Sequence, residues 1–233
     1  LLWHVTGMSP VAPPGLGDVD GDGHLEVVVP NSVHFHDHHV SALNGEGGSA
    51  LWSFTLGESS PTAVALGDLD RDGRPEVVVT NIGENDGVHA LEGQDGSPIW
   101  STSLWQGRAN SLALGDLNGD SLPDALVAGD VLHALEGRSG QLLWTLELSD
   151  NQRSPVLGDV NGDGVLDIVV SHDDGLSVLS SGSPSTGEPP WPEFCHDGWN
   201  TSNAVRGEYC GDLVDNDGDG HIDCEDPDCE GQG

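Results

Sequence analysis

Four stretches of this chain set carboxylate and amide oxygens at alternate positions of a short, glycine-bearing loop. The first is Gly17-Asp18-Val19-Asp20-Gly21-Asp22-Gly23-His24-Leu25-Glu26-Val27-Val28-Val29. The pattern returns from Gly67 (GDLDRDGRPEVVV), Gly115 (GDLNGDSLPDALV) and Gly158 (GDVNGDGVLDIVV). Counting from the Asp after the first Gly, oxygen side chains stand at positions 1, 3, 5 and 9, with glycine at position 6 in three copies. A β-rich run follows all four. A fifth loop, Asp215-Asn216-Asp217-Gly218-Asp219-Gly220-His221-Ile222-Asp223, has the same spacing without the β run. Hard oxygens at odd positions of a tight loop suit Ca²⁺, which takes about six to eight of them in a flexible shell. An EF-hand would need a bidentate Glu at position 12. Val29, Val79, Val127 and Val170 stand there, whereas Asp226 leaves an EF-like variant open for the fifth loop.

Composition points the same way. The 233 residues carry 40 acids against 6 Lys and Arg, a formal charge of −34. That excludes the basic surface that nucleic-acid binding needs. Eighteen of the 40 acids sit at positions 1, 3, 5 and 9 of the five loops. Carboxylates so crowded repel one another unless a cation lies among them. No apolar run reaches the length of a membrane span. No signal peptide is visible, which implies a mature chain or a fragment. Cys195, Cys210, Cys224 and Cys229 all fall in the last 39 residues. An even count in an acidic, Gly-rich tail implies two disulfides and an oxidising compartment, with a Zn²⁺ site as the alternative. Their connectivity stays open.

The loops recur within a longer repeat. Trp3, Trp52, Trp100, Trp144 and Trp191 are spaced by 49, 48, 44 and 47 residues. Between each loop and the next tryptophan lies a third element: Val40 to Gly45, Val88 to Gly93, Leu132 to Gly137, and the degenerate Leu176 to Ser180. The second repeat predicts four strands, at Thr62 to Leu66, Glu76 to Thr80, Val88 to Leu91 and Ile99 to Leu104, separated by Gly and Asx turns. No stretch keeps a helical period. Four strands per 43 to 50 residues predict an all-β propeller of four-stranded blades, stacked because a sheet with two apolar faces cannot bury both alone. The expected domains are a propeller over 1–206, with blades at about 12–55, 61–104, 109–146 and 154–194, and a Cys/Asp-rich tail over 207–233. Residues 1–6 match the tryptophan strand and are expected as an extra outer strand. The tryptophans are expected to pack between outer strands.

These motifs resemble the FG-GAP, or VCBS-type, repeats of integrin α-subunit propellers and of many bacterial surface proteins. The resemblance covers roughly residues 1–206. The element from Ala90 to Trp100 also looks like quinoprotein-dehydrogenase-type propeller repeats. In integrin-like loops the ligands are the side chains at 1, 3, 5 and 9 and a main-chain carbonyl at 7. The resemblance thus implies Asp18, Asp20, Asp22, the His24 carbonyl and Glu26 in blade 1. It implies Asp68, Asp70, Asp72, the Arg74 carbonyl and Glu76 in blade 2. Blade 3 would use Asp116, Asn118, Asp120, the Leu122 carbonyl and Asp124, and blade 4 Asp159, Asn161, Asp163, the Val165 carbonyl and Asp167. In the tail the same positions are Asp215, Asp217, Asp219, His221 and Asp223. Glu at position 9 of blades 1 and 2 departs from the usual Asp. The segment Trp191 to Thr201 looks like the closing segment of bacterial propellers, and Cys210 to Cys229 resembles Cys/Asp-rich motifs of secreted myxobacterial proteins and thrombospondin type 3 repeats.

Other features stand outside the repeat logic. His34-Phe35-His36-Asp37-His38-His39 offers ligands for Zn²⁺, Cu²⁺ or Ni²⁺ or is an exposed loop. Asn200-Thr201-Ser202 fits a glycosylation sequon. No nucleophile elbow or phosphate-cradling Gly-Lys loop is present, so no catalytic residue is named. The expected function is a secreted, Ca²⁺-binding, non-catalytic surface, adhesion or structural protein with Ca²⁺ in four blade loops and one tail loop. Its expected partners are further blades or other copies of itself, giving filaments, and a cell-surface protein or carbohydrate. The alternatives are a Ca²⁺-dependent polysaccharide lyase or glycosidase and, behind it, a quinoprotein-like dehydrogenase. Acid count and Ser121 at position 6 rank the blade 1 loop as the tightest and the blade 3 loop as the weakest.

Overall fold

The computed structural model describes residues 1–34, 37–83, 87–104, 109–148 and 154–184. Among these residues sixteen strands make four antiparallel sheets, taken in chain order. Sheet 1 holds β1 (Ser9–Pro10), β2 (Gly15–Gly17), β3 (Glu26–His34), β4 (Asp37–Asn44) and β5 (Ala50–Gly57). Sheet 2 runs β6 (Ser60–Gly67), β7 (Glu76–Ile82), β8 (Gly87–Leu91) and β9 (Pro98–Ser103). Sheet 3 runs β10 (Ser111–Gly115), β11 (Asp124–Ala128), β12 (Leu132–Leu135) and β13 (Leu142–Leu146). Sheet 4 has β14 (Val156–Gly158), β15 (Val165–His172) and β16 (Gly175–Pro184) among the described residues. The fold is all-β, and no helix of the described residues is long and apolar enough to cross a membrane.

Sheets 2 to 4 are meanders whose first strand is innermost, and in sheet 1 β1 and β2 both pair with β3, with β2 taking the inner place. The inner strands pack in sequence, β2 on β6, β6 on β10 and β10 on β14. Strand alternation sends neighbouring residues to opposite faces, and both faces are apolar, so a sheet is stable only between two others. In sheet 3, Leu112, Leu114, Ala125, Val127 and Leu135 join a core shared with sheets 1 and 2. Ala113, Leu126, Ala128, Leu132 and Ala134 join a second core with Leu157, Leu166 and Ile168 of sheet 4. The outer strands β9 and β13 are largely exposed.

The tryptophans of the outer strands reach across to the following sheet. Trp52 Nε1 donates to the Gly93 carbonyl at 2.7 Å, and Trp100 Nε1 to the Gly137 carbonyl at 2.7 Å. Their rings lie on Gly96 and Gly140, in the turn before the next outer strand, where a Cβ would fall 2.5 Å from the ring. Their polar partner and closest approach are thus that turn rather than a neighbouring outer strand, because only a turn glycine leaves room for an indole. Residues 1–6 make no strand ladder. Even so, Trp3 Nε1 donates to the Gly45 carbonyl at 2.6 Å and its ring lies against Gly48. Trp3 therefore occupies, on sheet 1, the place that Trp52 takes on sheet 2. In sheet 4, Ser181 stands where Gly45, Gly93 and Gly137 stand in the others, and the ladder shifts register between Val165 and Asp167.

Candidate metal centre

Each loop joins the innermost strand to the second one. The Asp at position 1 organises it by accepting backbone N–H groups with both oxygens. Asp18 Oδ1 accepts from Gly21 N at 2.8 Å and Asp22 N at 3.0 Å, and Oδ2 from Gly23 N at 2.9 Å. Asp68 and Asp159 repeat these three bonds; Asp116 makes those from Gly119 and Ser121. The side chain at position 3 then caps the N–H at position 5, and the one at position 5 caps the N–H at position 7, in all four loops. The chain turns left-handed at both positions 4 and 6: Gly21 and Gly23, Arg71 and Gly73, Gly119 and Ser121, Gly162 and Gly164. Sequence reasoning identified position 6 and missed position 4, although glycine fills it in three of the four copies. The two exceptions meet, since Arg71 Nη2 donates to the Ser121 carbonyl at 2.5 Å.

Position 9 ties the loop to the core. Glu26, Glu76, Asp124 and Asp167 are buried, and one carboxylate oxygen of each accepts the N–H at position 2, at 3.2, 2.6, 3.0 and 3.2 Å. In loop 1 the other oxygen, Oε1 of Glu26, is buried without a hydrogen-bond partner. A buried carboxylate oxygen without a donor is costly. Burial, with the charge of Asp20 adding to it, pushes the Glu26 carboxyl up to about 7. Burial does the same to Glu76, against the Leu69 N–H, and to Asp124, against the N–H groups of Gly137 and Leu117. These are the signs of a site short of positive charge.

The loops differ in how well their donors converge. Asp18, Asp20, Asp22 and Glu26 each bring a carboxylate oxygen within 4.8 Å of the others. In loop 2, Asp68, Asp70 and Glu76 do so, while the Asp72 carboxylate lies 3.8 Å from Arg74 Nε. All-oxygen sets of this kind fit Ca²⁺. Loop 3 fits it less well. The Asn118 Oδ1 is engaged by the Asp120 N–H at 2.8 Å, so its Nδ2 faces the acids, 3.1 Å from Asp120 Oδ2 and 3.4 Å from Asp124 Oδ1. An amide donor thus stands among the carboxylates where loops 1 and 2 bring carboxylate oxygens together. In loop 4 the Asn161 Oδ1 likewise caps Asp163 N, at 2.9 Å.

The tail loop with Asp215, Asp217, Asp219, His221 and Asp223, the four cysteines, Asn200 and the Trp191 strand lie outside the described residues, as do Phe35 and His36. Of the histidine cluster, His39 Nε2 sits 3.0 Å from Asp37 Oδ1, and its Nδ1 faces Thr55 Oγ1 at 3.2 Å and Ser53 Oγ at 3.4 Å. His89 bonds Asn81 and Ser101, and burial lowers its pKa.

Residues 18–79 and 68–127 each match the FG-GAP-like repeat. No curated protein matches the chain. Among solved structures it is similar to the V. cholerae biofilm matrix protein Bap1, with TM-score 0.53 and 23% identity over 75% of this chain and 32% of that one. It is similar to BBS1N, solved in complex with ARL6DN, with TM-score 0.56 and 13% identity over 78% of this chain and 58% of that one. It is also similar to the Bacillus licheniformis rhamnogalacturonan lyase PL11, with TM-score 0.50 and 17% identity over 82% of this chain and 51% of that one. The chain thus spans 32% to 58% of the lengths of these proteins, and at such identities the likeness is one of fold. With four Asp-loop sheets of one design and two overlapping repeat matches, the chain has a β-propeller-type fold that carries FG-GAP-like repeats over residues 18–127.

Proposed function

We propose that this is an extracellular, calcium-stabilised, non-catalytic repeat protein of structural, surface or adhesive role. The observation that carries the reading is loop 1, where four acids converge around a buried Glu26 Oε1 that no donor among the described residues satisfies. Ca²⁺ would be held there by Asp18, Asp20, Asp22 and Glu26, and in loop 2 by Asp68, Asp70 and Glu76, with the carbonyls of His24 and Arg74 completing the shells. Bound calcium supplies the charge that lets the loops keep their carboxylates ionised beside an apolar core. An extracellular setting fits, because millimolar calcium there fills sites of moderate affinity. The two-disulfide tail belongs to the same reading.

Calcium titration of the chelator-stripped chain, followed by calorimetry and thermal melting, tests this. Uptake with a rise in melting temperature is expected; an unchanged melting temperature with and without calcium refutes it. The competing reading, a calcium-dependent polysaccharide-degrading enzyme, draws on the likeness to a rhamnogalacturonan lyase. Turnover of a pectic polysaccharide by the calcium-loaded chain would replace the first reading with the second.

A further inference from the structure

Loops 1 and 3 share one design and differ in what satisfies their acids. In loop 1, Glu26 Oε2 accepts the Val19 N–H, while Oε1 is buried with no partner among the described residues. In loop 3 both oxygens of the matching Asp124 are engaged. Oδ2 accepts the Leu117 N–H at 3.0 Å. Oδ1 accepts the Gly137 N–H at 3.1 Å, from the turn after β12, and that of the Asn118 amide at 3.4 Å. A positive charge also reaches loop 3 from its neighbour. Arg71, at position 4 of loop 2, donates from Nη2 to the Ser121 carbonyl at 2.5 Å. Arg71 and Ser121 have φ +66 and +68, and they are the two non-glycine residues with left-handed backbone among the described residues. Each stands where the other three loops have glycine, in a conformation that a Cβ disfavours. Each is also tied to the organising acid of its own loop. The Arg71 N–H donates to Asp68 Oδ1 at 2.6 Å, and the Ser121 N–H to Asp116 Oδ2 at 2.9 Å. A continuous bonded path therefore joins Asp68 of loop 2 to Asp116 of loop 3. Position 4 of loops 1 and 3 is Gly21 and Gly119, so neither sends such a side chain to the loop that follows.

We propose that loop 3 is braced by protein donors in place of calcium, with Arg71 of loop 2 as its resident cation and the Asn118 amide as its internal donor. Loop 1 takes calcium because its position 9 acid keeps an oxygen without a donor. Loop 3 does not, because the oxygens of Asp124 already have theirs and the amide hydrogens of Asn118 would face an incoming ion. Arg71 is a positioning residue here. It holds the Ser121 carbonyl, and through it the left-handed turn at position 6, which glycine makes unaided in the other loops. Loop 3 then stays formed at any calcium level, and loop 2 is anchored to it. The inference rests on the calcium reading above and deepens it by naming the loop that calcium leaves alone.

Amide hydrogen exchange of the full chain, first in chelator and then in saturating calcium, tests this loop by loop. The reporters are Gly21, Gly23 and His24 in loop 1 and Gly119, Ser121 and Leu122 in loop 3, whose N–H groups all bond loop acids. At a free concentration ten times Kd, calcium should slow the loop 1 amides by about tenfold and leave those of loop 3 unchanged. Arg71→Gly removes the guanidinium and installs the residue that the other loops carry at position 4, so the backbone fits without strain. In chelator it should speed exchange of the three loop 3 amides by about tenfold, as the loss of a hydrogen bond from a charged donor predicts, and leave loop 1 as it was. If Arg71 only filled its own turn, glycine would steady loop 2 and loop 3 would not change. Calcium-dependent protection of loop 3 in the wild type overturns the proposal. So does loop 3 exchange that Arg71→Gly leaves unchanged or slows. If the loop 1 amides ignore calcium, it is the calcium reading that falls, and the brace is still decided by Arg71→Gly in chelator.

Discussion

Replacing Gly96 by alanine tests whether the inter-sheet tryptophan contact holds the stack together. Gly96 has φ +70, and a Cβ there would sit 2.5 Å from Trp52 Cε3 and 2.6 Å from Cδ2. An ordinary contact needs about 3.5–4.0 Å, so the indole must retreat by roughly 1 Å. It is 8% exposed and packs in the core shared by sheets 1 to 3. A retreat of that size breaks the 2.7 Å bond to the Gly93 carbonyl, worth about 1 kcal/mol net, and opens part of a packed interface, where overpacking costs about 1–3 kcal/mol. The left-handed backbone adds about 1–2 kcal/mol for any residue with a Cβ. Gly96→Ala should therefore destabilise by about 3–6 kcal/mol. Gly57 is the control, with φ +66 and nothing within 4 Å of an added methyl; Gly57→Ala should cost only the backbone share of about 1–2 kcal/mol. Urea unfolding in saturating calcium measures both. Equal losses for the two variants would show that the tryptophan carries no stability between sheets, and the stapling argument would be wrong.

Other outcomes follow from the loops. Stripping calcium should remove about 2.7 kcal/mol per site at a free concentration of a hundred times Kd, seen as a lower melting temperature and faster proteolysis at the Asp loops. Glu26 has a folded pKa of about 7 against an ordinary 4.5, so the metal-free folded state holds a proton that the unfolded chain releases. That stability is present below about pH 4.5 and is lost as pH rises to about 7. Metal-free protein should thus melt higher at pH 5.5 than at pH 8, while calcium affinity should change the opposite way, weakening as pH falls below about 7 because the ion must displace the proton; parallel pH trends would contradict this. Asn118→Asp should replace the amide donor in loop 3 by a ligand and raise the number of calcium ions bound per chain by one. An unchanged stoichiometry would show that Asn118 is not what distinguishes that loop.

Much of the fold was legible because one physical pattern is written several times. A β-branched run with both faces apolar, such as Val77-Val78-Val79, specifies a strand covered on two sides, and its return after each Asp loop specifies a stack. The loop ends of the strands were legible for the same reason, since an acid at position 9 must lie where the strand begins. What did not show in the sequence was the direction of the contacts. Spacing revealed that a tryptophan recurs, but its partner is a carbonyl 41 residues further on, and nothing local encodes which turn the indole will cross to. The glycine pair Gly93 and Gly96 was the available signal: one stands where a Cβ would strike the Pro75 carbonyl, the other where it would strike the indole.

The acids carried a second role that residue types alone did not reveal. A carboxylate in such a loop reads as a cation ligand, yet Asp18, Asp68, Asp116 and Asp159 spend both oxygens on backbone N–H groups. The loop is therefore shaped by its first acid before any ion arrives. For Asp159 the bonds from Gly164 and its neighbours hold the pKa below the ordinary range, so this organiser stays ionised across the physiological span. Position 9 is the opposite case in the first three loops, where Glu26, Glu76 and Asp124 are pulled into the core and pushed toward neutrality. Because its oxygen bonds the N–H at position 2, and position 2 is the apolar residue that the next sheet covers, charge in a loop is coupled to closure between sheets. In loop 4 that residue is Val160, 60% exposed. The Asp167 bond beneath it is only part-buried, so the coupling between charge and closure is weakest in that loop.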